Sequence, residues 1–264
     1  MGSSGRDHFH VDPRYQPIMR QIGLDGEAVF SHPEIRVWRS IPERENCRLD
    51  ARLDGREIRF HIKRYRATRK SFTPADEEAR GIQALLAEEI PTVPLVGWGK
   101  LVDGRSFVIT EDLSGFGAAD KLIESGFSFD RLLAPTADLA AKLHSSGLHH
   151  RDLYLCHFFV KAEEEKVELR LIDAARVRPL PRWMKKRWIV KDLAQFWYSA
   201  TQIGVPKEQL LEWLNRYSNA RNLKDSGGLL RAILRKAAWI AHHDQKLNLA
   251  QPNRNVSIPQ SRGT

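Results

Sequence analysis

The sequence predicts an α+β chain: a first part built on a small antiparallel sheet with one helix, then a larger, mainly helical part. Three observations lead there. Between Ile35 and Glu111, five short runs have strand-like patterning, and one helical stretch interrupts them. From about Ser114 the apolar residues recur at helical spacing, except around one loop. That loop, His149-His150-Arg151-Asp152, follows a helix end, and a second carboxylate, Asp173, closes the apolar run Leu169-Arg170-Leu171-Ile172.

The elements follow in order. Residues 1–30 show weak periodicity and several breakers, Pro13, Pro17, Gly23 and Gly26, which predicts an irregular, partly mobile entry. Strands are expected from Ile35 to Ile41, Cys47 to Leu53 and Ile58 to Tyr65, with Asp54-Gly55 as the hairpin turn between the last two. A helix is expected from Ala75 to Glu89: Thr73 can cap it, Pro74 suits its first turn, and Ile82, Leu85 and Leu86 give an apolar face. Pro91 and Pro94 stop it. Strands from Leu95 to Leu101 and from Ser106 to Glu111 meet at an Asp103-Gly104 turn. Ser128 opens a helix that carries Leu139, Ala140 and Leu143 and stops at Gly147. Further helices are expected at Lys185 to Ile203, Pro206 to Tyr217 and Leu229 to Lys246, before a polar tail at 251–264. The expected division is an entry segment at 1–30, a sheet part at 31–113, a helical part at 114–250 and the tail.

Composition narrows the classes. A 42% hydrophobic fraction with seven Trp in 264 residues suits a chain that buries a substantial core. No run of about 18 apolar residues predicts a membrane-spanning helix, and the first residues lack a secretory signal pattern. Two cysteines, Cys47 and Cys156, are too few for a disulfide framework, which points to a reducing, cytoplasmic setting. The net charge of +9 predicts an acidic partner: nucleic acid, anionic lipid headgroups or a phosphorylated substrate.

The run Leu143-His144-Ser145-Ser146-Gly147-Leu148-His149-His150-Arg151-Asp152, followed by Asp173, resembles the catalytic loop and metal-binding strand end of the protein kinases. Five strands and one helix ahead of it fit the small lobe of that fold. His157 stands where protein kinases carry Asn, with Tyr154 and Cys156 between, and this variant resembles the lipopolysaccharide core heptose kinase and 3-deoxy-manno-octulosonic acid kinase family. The likeness covers roughly residues 35 to 245 and is densest at 143–194. It implies a two-lobed protein-kinase-like fold, with ATP and Mg²⁺ as cofactors.

Each residue's role follows from that resemblance and its own chemistry. Asp152 would act as catalytic base or orient the acceptor hydroxyl, since a carboxylate can accept its hydrogen bond and briefly hold its proton. Asp173 would bind Mg²⁺, a hard cation that prefers carboxylate oxygen. His157 would ligate metal, hydrogen-bond phosphate or brace the loop; imidazole is softer than Mg²⁺ usually selects. Ile58, Phe60 and Ile62 alternate onto one strand face, so Lys63 points to the other. By the resemblance Lys63 would hold the α- and β-phosphates, although a surface lysine at a strand edge is the commoner case. Its expected partner is Glu78, because Ile82 and Leu85 lie four and seven residues further along the same helix side. Adenine would bond the backbone at Glu111 C=O and Leu113 N–H. Asp192, in Lys191-Asp192-Leu193-Ala194, would hydrogen-bond the catalytic-loop backbone, with His150 and Arg151 in support.

Two departures from the kinase pattern stand out. Ser40-Ile41-Pro42-Glu43-Arg44-Glu45-Asn46 occupies the place of a glycine-rich phosphate loop, and His61 shares the Lys63 face where kinases usually carry a small residue. A zinc site built from His144, His149, His150 and His157 is rejected for want of ligand spacing. The stretch from Arg176 to Arg187, with Trp183 and Trp188 interleaved, offers Lys185, Lys186 and Arg187 to phosphates of an anionic glycolipid, or is simply a solvated charged face. No nucleic-acid motif accompanies it. The expected acceptor is a lipopolysaccharide core sugar, heptose or 3-deoxy-manno-octulosonic acid, met peripherally at the inner face of the inner membrane. The alternatives are a small-molecule or protein acceptor, or a pseudokinase that regulates a partner.

Overall fold

The computed structural model describes residues 8–53, 55–164 and 166–250. Asp54 of the expected hairpin turn, the 251–264 tail and the first seven residues lie outside them. The chain divides into two compact units, residues 8–83 with 93–114 and residues 84–92 with 115–250.

The first unit is a six-stranded antiparallel sheet. Its strands are β1 (His8–Val11), β2 (Arg36–Ile41), β3 (Arg44–Leu53), β4 (Arg56–Tyr65), β5 (Leu95–Lys100) and β6 (Ser106–Glu111), in the order β1-β5-β6-β4-β3-β2. Alternation along β4 sends Phe60 and Ile62 into the core with Cys47, Leu49, Phe107 and Ile109, and turns Lys63 to the other face. The core is closed by the segment expected to be irregular. Besides β1, it forms α1 (Gln16–Gln21) and α2 (Ala28–Ser31), and Tyr15, Ile18, Met19 and Val29 bury against the sheet. Pro17 does not break α1, because it sits in the first turn, where its missing N–H costs no bond. Tyr15, Ile18, Met19 and Ile22 have the i, i+3, i+4, i+7 spacing of a helix face.

β1 lies close against β5 because β5 carries Gly97 and Gly99. A Cβ on Gly97 would meet His10 O at 2.6 Å, and one on Gly99 would run into His8 O and the Phe107 ring. The helix α3 (Pro74–Ala87) starts where Thr73 and Asp76 cap each other, Thr73 N–H to Asp76 Oδ2 at 2.8 Å and Asp76 N–H to Thr73 Oγ1 at 3.2 Å. Residues 84–92 group with the second unit: Pro91 C=O accepts from Leu171 N–H at 2.8 Å and Glu89 C=O from Lys142 at 2.6 Å.

In the second unit, β7 (Gly117–Ala118) and α4 (Ala119–Glu124) lead into α5 (Asp130–Ser145), which ends at Gly147, φ 79°, the left-handed stop a glycine supplies without strain. Strand β8 (Leu148–His149) precedes the loop, and β9 (Phe158–Ala162) and β10 (Val167–Leu171) form the hairpin after it. They make a three-stranded sheet ordered β10-β9-β7, while β11 (Arg178–Pro179) pairs with β8. Long helices follow: α6 (Lys185–Gln202), α7 (Lys207–Ala220) and α8 (Ser226–Ala250). Their core is aromatic: Phe196 stacks on Trp213 at 4.1 Å, and Phe158 meets Phe196 edge-on at 5.5 Å. No helix among the described residues is long and apolar enough to cross a membrane.

Candidate active site

In the second unit the reactive loop hangs from one face of α6. Asp192, fully buried, accepts from the backbone N–H of His150 at 2.7 Å and of Arg151 at 2.8 Å. Gln195, three residues on, accepts from Leu153 N–H at 3.1 Å and donates to Arg151 C=O at 3.1 Å. Ser199, at seven residues, accepts from Leu155 N–H at 2.8 Å. Spacings of three and seven put all three side chains on one helical stripe. Burial pushes the Asp192 carboxyl up, but the hydrogen bonds from His144 and the His150 backbone N–H outweigh it and hold it below the usual range. Burial keeps His144 neutral; its Nε2 faces Asp192 at 3.3 Å and its Nδ1 meets Tyr217 OH at 2.8 Å.

This anchoring holds a strained backbone. Arg151 has φ 68°, a conformation bulky side chains rarely adopt. Besides Asp192 on its N–H, Lys191 donates to its carbonyl, and its guanidinium lies 4.7 Å over the Trp188 ring. Asp173 is also left-handed, φ 61°, which Asp tolerates better.

The loop presents Asp152 with Arg176 Nη1 at 3.2 Å and Gln195 Nε2 at 3.3 Å from its carboxylate oxygens. His157 Nδ1 donates to the Asp152 carbonyl at 2.6 Å, which turns Nε2 toward Asp173, 3.7 Å from Oδ2. Burial disfavours a charged ring, but the Cys156 sulfur, the Asp173 carboxylate and the Asp152 carbonyl outweigh it, and the His157 pKa is pushed up to about 9. His150 supports the loop, its Nε2–H donating to Ile172 C=O at 3.1 Å. Asp152, His157 and Asp173 are thus brought together. The Asp173 carboxylate suits a hard cation that brings phosphate and water ligands with it, whereas His157, protonated at neutral pH, offers Nε2–H as a donor unless it loses that proton. Among the described residues, no group of three or more His, Cys, Asp or Glu could hold a metal by itself.

In the first unit Lys63 Nζ lies 2.5 Å from Glu78 Oε1 on α3. Glu78 is 3% exposed, and its other oxygen accepts from Tyr65 OH at 2.5 Å. The pair is mostly out of water, where a lone charge would be costly. His61 shares the Lys63 face, 5.8 Å from the Trp38 ring; burial, then the Lys63 charge, lowers its pKa to about 4. Between β2 and β3 only Pro42 and Glu43 make the turn, with Ile41 opposite Arg44, so a tight hairpin stands in the place of a glycine-rich loop. Glu111 ends β6, its N–H on Pro94 C=O at 3.0 Å and its carboxylate on Tyr15 OH at 2.7 Å; Leu113 follows as the chain leaves the sheet.

Sequence reasoning passed over Arg176 as a partner of Asp152, and Gln195 and Ser199 altogether. The i, i+3, i+7 spacing from Asp192 was the available signal for the last two. For Arg176 there was none, since its contact with Asp152 is made across 24 residues.

A loop carboxylate, a second carboxylate beside an imidazole and, in the other unit, a buried Lys–Glu pair are residue types that phosphoryl transfer uses. The model of the lipopolysaccharide kinase (Kdo/WaaP) family matches residues 27–217, and the chain belongs to that family. It is similar to the lipopolysaccharide core heptose(I) kinase WaaP of Pseudomonas aeruginosa, 25% identical over 239 residues, covering 80% of this chain and 88% of that one. It is also similar to the protein of the same name from Escherichia coli K12, 25% identical over 218 residues, 74% of this chain and 82% of that one.

Proposed function

We propose that this chain is an ATP-dependent kinase that transfers the γ-phosphate to a sugar hydroxyl of the lipopolysaccharide inner core, on heptose or 3-deoxy-manno-octulosonic acid. The observation that carries the reading is a loop anchored by buried Asp192 that carries Asp152 and His157, with Asp173, just past β10, 3.7 Å from the His157 ring. Asp152 accepts the hydrogen bond of the attacking hydroxyl and takes its proton as that oxygen bonds to the γ-phosphorus and the γ-phosphorus–oxygen bond to ADP breaks, ADP leaving. Gln195 and Arg176 fix the direction of that carboxylate, and Arg176 is well placed to meet negative charge nearby.

Asp173 would hold Mg²⁺, whose chemistry is to neutralise the charge of ATP phosphates; His157 would donate Nε2–H to a phosphate oxygen, or join Asp173 as a ligand once it has lost that proton. The His157 ring contributes Nε2 while its Nδ1 stays bound to the Asp152 carbonyl, so its orientation survives either role. Lys63, braced by Glu78, engages the α- and β-phosphates, and the backbone at Glu111 and Leu113 takes the adenine. The fold this implies is the two-lobed protein-kinase-like one, with the first unit, its entry segment included, as the smaller lobe and the second as the larger. The basic charge supports peripheral work at the inner face of the inner membrane.

The test is transfer from γ-labelled ATP with Mg²⁺ to dephosphorylated core lipopolysaccharide, comparing wild type with Asp152→Asn. Label in the glycolipid that disappears in the variant, while ATP affinity is kept, is the expected result. ATP binding without transfer to any sugar acceptor would move the assignment to a pseudokinase.

A further inference from the structure

Helix α8 packs along α6, and beside the first turns of α6 the two leave a cleft of about 810 Å³. Lys186, Arg187 and Trp188 line it from α6; Arg235, Lys236 and Trp239 line it from α8. Arg151 and Lys191 also line it, so it reaches the loop that carries Asp152. None of the described residues lining it is acidic. Two of its indoles stand in water, Trp183 at 86% and Trp239 at 55% exposure.

The cations are set against aromatic planes. Lys191 and Arg187 lie 5.7 and 5.6 Å from the Trp188 ring, and Lys236 is 3.4 Å from that of Trp239. Burial and neighbouring positive charge bear on three of them. Burial, then the Arg176 charge, pulls both Arg151 and Lys191 below their usual values, and burial, then Arg187, does the same to Lys236. A like-charged, aromatic-walled hollow is unfavourable when empty, and an anion entering it relieves that repulsion. A flat membrane surface cannot enter a hollow between two helices, whereas a compact headgroup can.

We propose that this cleft binds the anionic saccharide head of the acceptor glycolipid, its carboxylates or phosphates on the cations and its sugar rings against the indoles. The assignment deepens the proposed function and rests on it for the nature of the acceptor. The cleft then anchors the glycolipid beside the residue that receives the hydroxyl proton, and α8 becomes part of acceptor recognition.

The test uses the full chain and measures two affinities, for detergent-dispersed core lipopolysaccharide and for ATP, in wild type, Arg235→Glu/Lys236→Glu and Trp239→Ala. Expected is at least a tenfold loss of glycolipid affinity in the charge reversal and about fivefold in Trp239→Ala, whose half-exposed ring leaves the core undisturbed, with ATP affinity within twofold. Glycolipid affinity unchanged in both variants overturns the proposal. So does an equal loss toward phosphatidylglycerol vesicles lacking the glycolipid, which would make the cleft a general anionic-surface patch. A chain that binds glycolipid through these residues yet binds no ATP would refute the kinase reading and uphold the cleft.

Discussion

Replacing Asp192 should damage the second unit more than any exposed charge could. In Asp192→Ala the amides of His150 and Arg151 lose a charged acceptor, and His144 Nε2 loses its partner while Nδ1 keeps Tyr217. Leaving buried donors unpaired costs about 1–3 kcal/mol each, so about 3–5 kcal/mol in all is expected. Against a total stability of about 5–15 kcal/mol, that loss removes a large fraction and confounds stability with activity. Asp192→Asn is therefore the informative change. Its remaining oxygen keeps one amide, its NH₂ faces the other, and about 2–3 kcal/mol should be lost. The positive φ of Arg151 is then held by fewer bonds, and Asp152 follows it. A loop displaced by about 1 Å commonly loses about a hundredfold in rate. Urea unfolding should show a lower midpoint at unchanged m, and transfer assays at concentrations where the variant is folded should show kcat reduced with ATP affinity kept. A midpoint equivalent to a loss under about 0.5 kcal/mol, together with wild-type kcat, would refute the claim that Asp192 holds the loop.

Other outcomes follow from the same geometry. Lys63→Met leaves the Glu78 carboxylate buried with only Tyr65 of its two described partners; a stability loss of about 3 kcal/mol and loss of ATP affinity are expected, by thermal melting and nucleotide titration. His61 and His149 are each held neutral by burial down to a pKa of about 4. Their unfolded forms protonate near pH 6.5, so the contribution is full above that value and is lost as pH falls from about 6.5 toward 4. Between pH 7 and 5 these two should contribute about 3–4 kcal/mol to the change in urea-derived stability, beside buried His144 and His150, which act in the same direction, and His157, which acts in the opposite one; His149→Gln should remove about half of the two residues' share. Gly99→Ala sets a Cβ against the β1 backbone and the Phe107 ring, so a loss of about 1–3 kcal/mol and faster amide exchange at residues 8–11 are expected.

Much of the site was legible before any coordinates. Asp152 and Asp173 stood out through the resemblance of Leu143 to Asp152 and of the strand end at Asp173 to the kinase pattern, a likeness carried by residues close together in sequence. The Lys63 face followed from strand alternation, and Glu78 from helix spacing, since both periods are properties of the backbone itself. The entry segment was misjudged for a related reason. Pro17 and Gly23 read as breakers one by one, but Pro17 begins α1 and Gly23 ends it, and the burial of Ile18 and Met19 against the sheet stabilises a helix too short to stand alone.

The sequence by itself determined the antiparallel sheet with its one helix, the helical second part, the two carboxylates and the excess of positive charge, because each is written in local periodicity or composition. Only the tertiary structure decided that Gln195 and Ser199 carry the loop with Asp192, that Arg176 meets Asp152, and that α8 adds Arg235, Lys236 and Trp239 to the basic stretch before α6. These contacts join residues distant in sequence, and they exist because buried backbone donors must find acceptors and because α8 has to bury an apolar face against α6.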